Sequence, residues 1–352
     1  MKTLKKISLI VGSLLLAFVL FVLYIFSSTG YFREIIPNQS GGILQQIELP
    51  GAEDITVSYT DHFALISSDD RAARRDGNPQ QGGLYYIDLK EEPFKPKLIS
   101  EDFDSPFYPH GISTHKIDSA HYKVWVINHV REQHSIEVFE LFGDSLVFRE
   151  TLRRELMVSP NDVVAVSENQ FYFTNDHKYT SGLGLFIENY GGLAISNVIY
   201  FDGADYREVA DGIAYANGIN WDPNRKLLFV ASPRDFMVKV YKIASDGELI
   251  FEANIDAKTG IDNLELDQQG NIWSGAHPNL LAFTSYAAGK NPIAPSEVVK
   301  ITYTDKDNYL VESVYVNDGG DISASSVAVP YQDKLLIGNV MDEGFLVIKI
   351  NQ

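Results

Sequence analysis

The chain contains no cysteine in 352 residues. Disulfides, thiolate nucleophiles, Cys-ligated zinc and iron–sulfur clusters are therefore excluded as devices of fold or function. Positive charge is also scarce: 29 Lys and Arg stand against 47 Asp and Glu, a net charge of −18. Nucleic acid and anionic lipid headgroups are poor partners for such a surface. Several enzyme signatures are missing as well. There is no G-x-S-x-G elbow, no H-E-x-x-H zinc motif, no G-x-G-x-x-G fingerprint and no Walker A loop. Sustained helical periodicity is absent beyond residue 30, with short helices expected only near Leu152–Leu156 and around Tyr190.

The first thirty residues are a different material. Lys2, Lys5 and Lys6 precede an uncharged apolar run from Ile7 to Phe26, and roughly 20 such residues span a bilayer as a helix. Ser27-Ser28-Thr29-Gly30 matches a cleavage site poorly, so residues 1–30 read as an uncleaved signal anchor. Lysines before it keep the N-terminus cytoplasmic and place the rest on the non-cytoplasmic side, periplasmic or extracellular. Residues 31–43 read as a tether and 44–352 as one globular domain.

Within that domain strand patterns and turn residues alternate throughout. Lys123–Asn128 is followed by Ser135–Leu141, Leu227–Ala231 by Met237–Tyr241, and Lys334–Gly338 by Gly344–Ile350, with Asp222-Pro223-Asn224 and Asp246-Gly247 as hairpin punctuation. Aromatics at 12% favour strands over helices. Six polar clusters each stand before the first strand of a unit: Glu53-Asp54, His110-Gly111-Ile112, Asn161-Asp162, Asn217-Gly218-Ile219, Asp262-Asn263 and Ser325-Ser326. They recur every ~45–65 residues, the period of a sheet-per-repeat array. The fold class is therefore all-β, a six-bladed β-propeller with four-stranded blades. Leu44–Leu49 is the natural strand to close the ring on the last blade.

In a propeller the same position of every blade faces one axis, so the polar heads converge. Any one head is an ordinary turn sequence; their common phase is what argues for a site. Glu53, Asn161, Asn217, Asp262 and Asn263 would deliver two carboxylates and three amides to one mouth of the channel. All-oxygen coordination of high ligand number selects calcium. Asp54, Asp162 and the Ile112 carbonyl, one residue further along, would hold a second, buried and structural cation. His110 would lean over the mouth with His129 behind it, a pair able to take a proton from water. His177 is a third histidine near the mouth.

At these residues the chain resembles the serum paraoxonase/arylesterase family. The stretches that carry the resemblance are Gly51–Asp54, Pro109–Ser113, Asn161–Val166 with Phe171–His177, Ala216–Asn220, Val240-Tyr241, Asp262-Asn263 with Trp273–Asn279, and Ser325–Val329 with Lys334–Gly338. They run in family order over nearly the whole chain. The resemblance implies two calcium ions and hydrolysis of small-molecule lactones and aryl esters. It implies a catalytic calcium at Glu53, Asn161, Asn217, Asp262 and Asn263, a structural calcium at Asp54, Ile112 and Asp162, and a catalytic dyad of His110 and His129. Asp262 remains the rival general base.

Three departures bear on that expectation. Animal members close the ring with a disulfide, which this chain cannot form. The loop Asp69–Gln81 is rich in Arg and Asp, and Lys178–Gly192 differs from the family's cover over the site. Two other readings stay open: a gluconolactonase or strictosidine-synthase-like calcium propeller, and a membrane-tethered propeller that only binds. Ser325-Ser326 offers no ligand, so substrate is expected to enter on that side. Oligomeric state is not legible.

Overall fold

The computed structural model describes residues 2–39, 41–130 and 133–350. A single helix, Lys2–Ser28, opens the chain. Its span Thr3–Ser28 holds an 18-residue stretch of mean hydropathy 2.9 and is long and apolar enough to cross a membrane, as a signal anchor would. The helix ends where the Thr29 hydroxyl donates to the Ile25 carbonyl oxygen at 2.7 Å. Gly30 then turns with φ +72°, and a Cβ there would lie 2.3 Å from the Pro278 carbonyl oxygen. Only glycine lets the chain turn this close to the domain.

The stretch expected as a tether is docked. Both terminal nitrogens of Arg33 donate to the Glu297 carboxylate at 2.7 Å, and Asn38–Gln39 pairs with Tyr315 and Val316 as an extra edge strand. The remaining strands form six antiparallel sheets. Their innermost strands are Ala52–Ser58, Pro109–Asp118, Pro160–Ser167, Ile219–Asp222, Gly260–Leu266 and Ser325–Tyr331, numbered here as blades 1 to 6. In blade 6 the outer strand is Ile43–Glu48, paired with Gly344–Lys349, so the ring closes through the expected segment. The apolar core is divided accordingly. Ile47, Ile55, Phe345 and Val347 fill the joint between blades 6 and 1, while Trp125, Ile136, Val163 and Phe173 fill that between 2 and 3.

Helices beyond the anchor are short: Arg71–Arg75, Gly182–Gly191 and Leu280–Ala287, with one 3₁₀ turn at Pro233–Asp235. The helix expected around Tyr190 is present. Residues 152–156 are not helical but complete a strand and turn, because Leu152 is paired with Ile136 across blade 2.

Candidate active site

Five of the six innermost strands break register at their polar heads. The shifts fall between Ala52 and Asp54, Pro109 and Ile112, Pro160 and Val163, Ile261 and Leu264, and Ser325 and Ala328. A bulge there suspends the strict in–out alternation of a strand, so adjacent polar residues can both serve the axis. Inner strands must also approach closely. A Cβ on Gly111 would lie 2.3 Å from Asp162 Oδ1, and one on Gly218 2.5 Å from the Asp262 carbonyl oxygen. That contact is the physical reason for glycine in both His110-Gly111-Ile112 and Asn217-Gly218-Ile219.

Two cavities separate the two sets of heads. Glu53, His110, Asn161, Asn217 and Asp262 line one of about 110 Å³. Asp54, Ile112 and Asp162 line another of about 420 Å³, which runs on to the turns at Asp222–Asn224 and Asp267–Gly270, the opposite end of the inner strands. Bulged heads rather than plain alternation account for this separation.

In the first cavity the oxygens are left free. Asn263 donates its amide nitrogen to the Glu53 carbonyl oxygen at 3.0 Å and to Glu53 Oε1 at 3.1 Å, and Asn161 donates to Asp176 Oδ2 at 3.3 Å. Glu53 Oε2, Asn161 Oδ1, Asn217 Oδ1 and Asn263 Oδ1 are all buried without a hydrogen-bond partner. Buried polar atoms are rarely left so. Among the described residues no three Asp, Glu or His side chains form a metal cluster, so any cation here depends on the amides. A hard divalent cation of high coordination number fits four orphaned oxygens.

Burial works against the Glu53 charge, but His110 and Arg71 outweigh it and lower its pKa to about 2. His110 Nε2 is 3.1 Å from Glu53 Oε1 and Arg71 Nη2 is 3.7 Å from Oε2. Asp262 is raised by burial, although His277 Nε2 bonds its Oδ2 at 2.9 Å. His277 is itself stacked on Phe283, ring centroids 4.0 Å apart.

The second set is bound differently. Asp54 accepts backbone N–H groups from Ile55 and Ile112 at 2.9 and 2.7 Å. Asp162 accepts those of Val163 and Ile219 at 2.7 and 2.8 Å. Each carboxylate thus stitches its blade to the next. Burial, and then the neighbouring carboxylates, raise both well above the usual range. A cation would relieve that repulsion.

His110 and His129 lie edge to face with ring centroids 4.6 Å apart. His177 is held between Asp176 Oδ1 at 2.8 Å and Asn189 Oδ1 at 2.9 Å. Burial opposes its charge, yet the Asp176 bond prevails and its pKa rises to about 9.

Ser325 and Ser326 do not open the site. Both are fully buried, and the Ser326 hydroxyl donates to the Glu53 carbonyl oxygen at 2.6 Å. The first cavity is walled by Tyr190, Tyr215, Pro233, Arg234, the helix residues Leu280, Leu281 and Phe283, and Val340 of blade 6. Thr29, at the end of the anchor, is also part of that wall. Arg71, His134, His277 and Arg234 were not singled out by sequence. Arg71 lies in the loop marked by its charge and His277 in the stretch Trp273–Asn279; the other two carry no local signal.

A family profile described as Arylesterase matches residues 32–347. Serum paraoxonase/arylesterase 2 of Gallus gallus is 37% identical over 302 residues, covering 82% of this chain and 83% of that protein. Serum paraoxonase/arylesterase 1 of Homo sapiens is 33% identical, with 84% and 88% covered, and serum paraoxonase/lactonase 3 of Oryctolagus cuniculus is 33% identical, with 89% and 90% covered. A solved putative gluconolactonase superposes with a TM-score of 0.54 at 16% identity, covering 91% of this chain and 95% of that one; this likeness speaks for the fold alone. The match extends across all six blades and their polar heads: the chain belongs to the arylesterase family.

Proposed function

We propose that this chain is a calcium-dependent carboxylic ester hydrolase acting on lactones and aryl esters. Relatives at 33–37% identity bear the names arylesterase and lactonase. The observation that carries the calcium reading is the set of four buried oxygens without partners, Glu53 Oε2, Asn161 Oδ1, Asn217 Oδ1 and Asn263 Oδ1. Together with Asp262 they would hold one ion at the mouth. Asp54, Asp162 and the Ile112 carbonyl would hold a second between blades. Calcium at the mouth supplies a Lewis acid for an ester carbonyl.

The chain's own groups do the rest. Leu280, Leu281, Phe283 and Tyr190 offer an apolar wall to the body of the substrate. His110, in ring contact with His129, takes a proton at Nε2 as a water oxygen adds to the carbonyl carbon. It returns that proton to the alkoxide or phenoxide as the acyl C–O bond breaks, giving acid and alcohol, or one hydroxy acid from a lactone. Asp262 is the rival base, with His277 bound to its carboxylate. The N-terminal helix holds the propeller to a membrane, on the non-cytoplasmic side by the lysines that precede it.

The full-length protein in detergent should hydrolyse δ-valerolactone and phenyl acetate, lose turnover in EGTA, and regain it with calcium but not magnesium. Turnover indifferent to chelation, or none in saturating calcium, overturns the proposal. Asp262→Ala should abolish activity, and a His110→Gln variant that keeps most of its lactonase activity would sink the dyad role while leaving Asp262 as base.

A further inference from the structure

A third histidine stands behind the dyad. His129 Nδ1 lies 3.0 Å from His134 Nδ1, with the rings edge to face and centroids 4.9 Å apart. The order from the cavity outward is Glu53, His110, His129, His134, with His134 reaching partial exposure. Two nitrogens along this line have no partner: His110 Nδ1 and His129 Nε2. His129 is otherwise fixed by its place at the end of a strand, where its backbone N–H donates to the Tyr108 carbonyl oxygen at 3.0 Å. The adjoining Asn128 amide is bonded to Pro106 and Glu137.

Tautomers decide what such a row can do. A neutral imidazole carries one N–H and one lone pair, and the bond made by one nitrogen sets the state of the other. His110 Nε2 lies 3.1 Å from Glu53 Oε1, and a cation held by that carboxylate would free this nitrogen; for it then to accept a proton, the His110 hydrogen must sit on Nδ1. That hydrogen needs an acceptor, and the unpartnered His129 Nε2 is the one in the contacting ring. His129 must then carry its hydrogen on Nδ1 and donate it to His134 Nδ1. His134 finally presents Nε2–H outward. Burial keeps His129 neutral, reinforced by His110 and by His134. Burial also lowers His134 against the opposing charge of Asp176. His129 and His134 are thus neutral rings, and a single acceptor orders their tautomers.

We infer that His134 is a positioning residue for ester hydrolysis: by accepting from His129 Nδ1–H it fixes the tautomer of His129 and, through it, of His110. The inference rests on the dyad reading above. It assigns catalytic weight to a loop side chain that touches neither substrate nor cation.

The test compares His134→Phe, which keeps a ring without an acceptor, with His134→Gln, whose amide oxygen can accept. Phenylalanine should lower kcat for δ-valerolactone about tenfold, a part of the effect of a general base, with KM unchanged within about twofold. Glutamine should restore more than about half of the wild-type kcat. Calcium affinity and melting temperature should match wild type in both variants. Wild-type kcat in His134→Phe, or an equal loss in both, overturns the inference. His110→Gln and His129→Gln serve as the control: turnover kept in these removes the dyad and the relay together. Their loss beside an unaffected His134→Phe removes the relay alone. Histidine 15N spectra of the unsubstituted protein, with the His129 signal assigned by its loss in His129→Gln, read the tautomer directly. Nδ1–H is expected, and Nε2–H refutes the inference even if His134→Phe fails to fold.

Discussion

The ring is closed by one strand held without a covalent bond, and Ile47→Ala tests how much that strand holds. Ile47 is 9% exposed and packs with Leu49, Phe345 and Val347 between blades 6 and 1. Truncation to alanine removes three carbons, about 2.4 kcal/mol of transfer free energy at ~0.8 per group. The unfilled space brings the loss to about 3 kcal/mol. A propeller of about 300 residues unfolds with an entropy near 0.6 kcal/mol/K, so the melting temperature should fall by about 5 °C. If the closing strand pairs after the folding transition state, nearly all of the loss enters the unfolding rate, which should rise roughly 150-fold. Leu44, on the same strand but 47% exposed, is the control; its alanine variant should shift stability by less than about 0.5 kcal/mol. Calorimetry in saturating calcium and unfolding followed by near-ultraviolet circular dichroism read both quantities. Equal losses in the two variants, or a melt of Ile47→Ala within about 1 °C of wild type, would refute the reasoning.

Three further outcomes are expected. Arg33→Ala should destabilise the domain by about 2 kcal/mol, below the usual cost of breaking a buried pair because Arg33 is 31% exposed; it leaves the Glu297 carboxylate with the Ser313 hydroxyl, and adding Glu297→Gln should recover much of the melting temperature. His177, raised to about 9, contributes stability that is complete below its unfolded value of about 6.5 and is lost as pH rises through 9, about 3 kcal/mol in all. Melting from pH 6 to 10 should show that loss, and Asp176→Asn should flatten it. Chelation should cost about 2.7 kcal/mol for each calcium site that had been held at a hundredfold excess over its Kd. In the chelated protein the raised Asp54 and Asp162 bind more protons folded than unfolded, so its melting temperature should rise as pH falls toward the ordinary carboxylate range. A calcium-free protein that loses stability over that fall in pH would contradict the raised carboxylates.

Sheet architecture was legible because its signals are local. Period-two runs and Asp-Pro-Asn or Asp-Gly turns name each hairpin, and the common phase of the heads names the axis. The closing strand was legible for the same reason. Leu280–Ala287 was not, since two helical turns leave too little periodicity; its trace is Asn279, whose side chain accepts from the Ala282 N–H at 3.0 Å as an N-cap. The separation of the two sets of heads was expected from alternation, whereas register breaks underlie it. A head without ligands reads as a gap in the sequence, but Ser325 and Ser326 are both fully buried. Ser326 instead bonds blade 1 and Ser325 bonds blade 5, so a hydroxyl stitches there as a carboxylate does elsewhere. His134 was invisible, for nothing in a loop sequence marks a histidine that meets another five residues before it.

Closure by the first and last strands also sets the order of events at the ribosome. Ile43–Glu48 is made early, and its partner Gly344–Lys349 follows about 300 residues later. At ~5–20 residues per second that interval lasts roughly 15–60 s. Throughout it, blade 1 has no neighbour on one side and the strand Leu44-Gln45-Gln46-Ile47 has no mate. An unpaired edge of this kind recruits other chains. The anchor, only a dozen or so residues upstream, gives that strand a fixed place to wait. Gln45 offers it a temporary hold, through bonds with both backbone groups of Phe94 at 2.9 and 3.3 Å. Synthesis of this chain is therefore most exposed to aggregation just before its end, when five blades stand complete and the sixth lacks only its final strand.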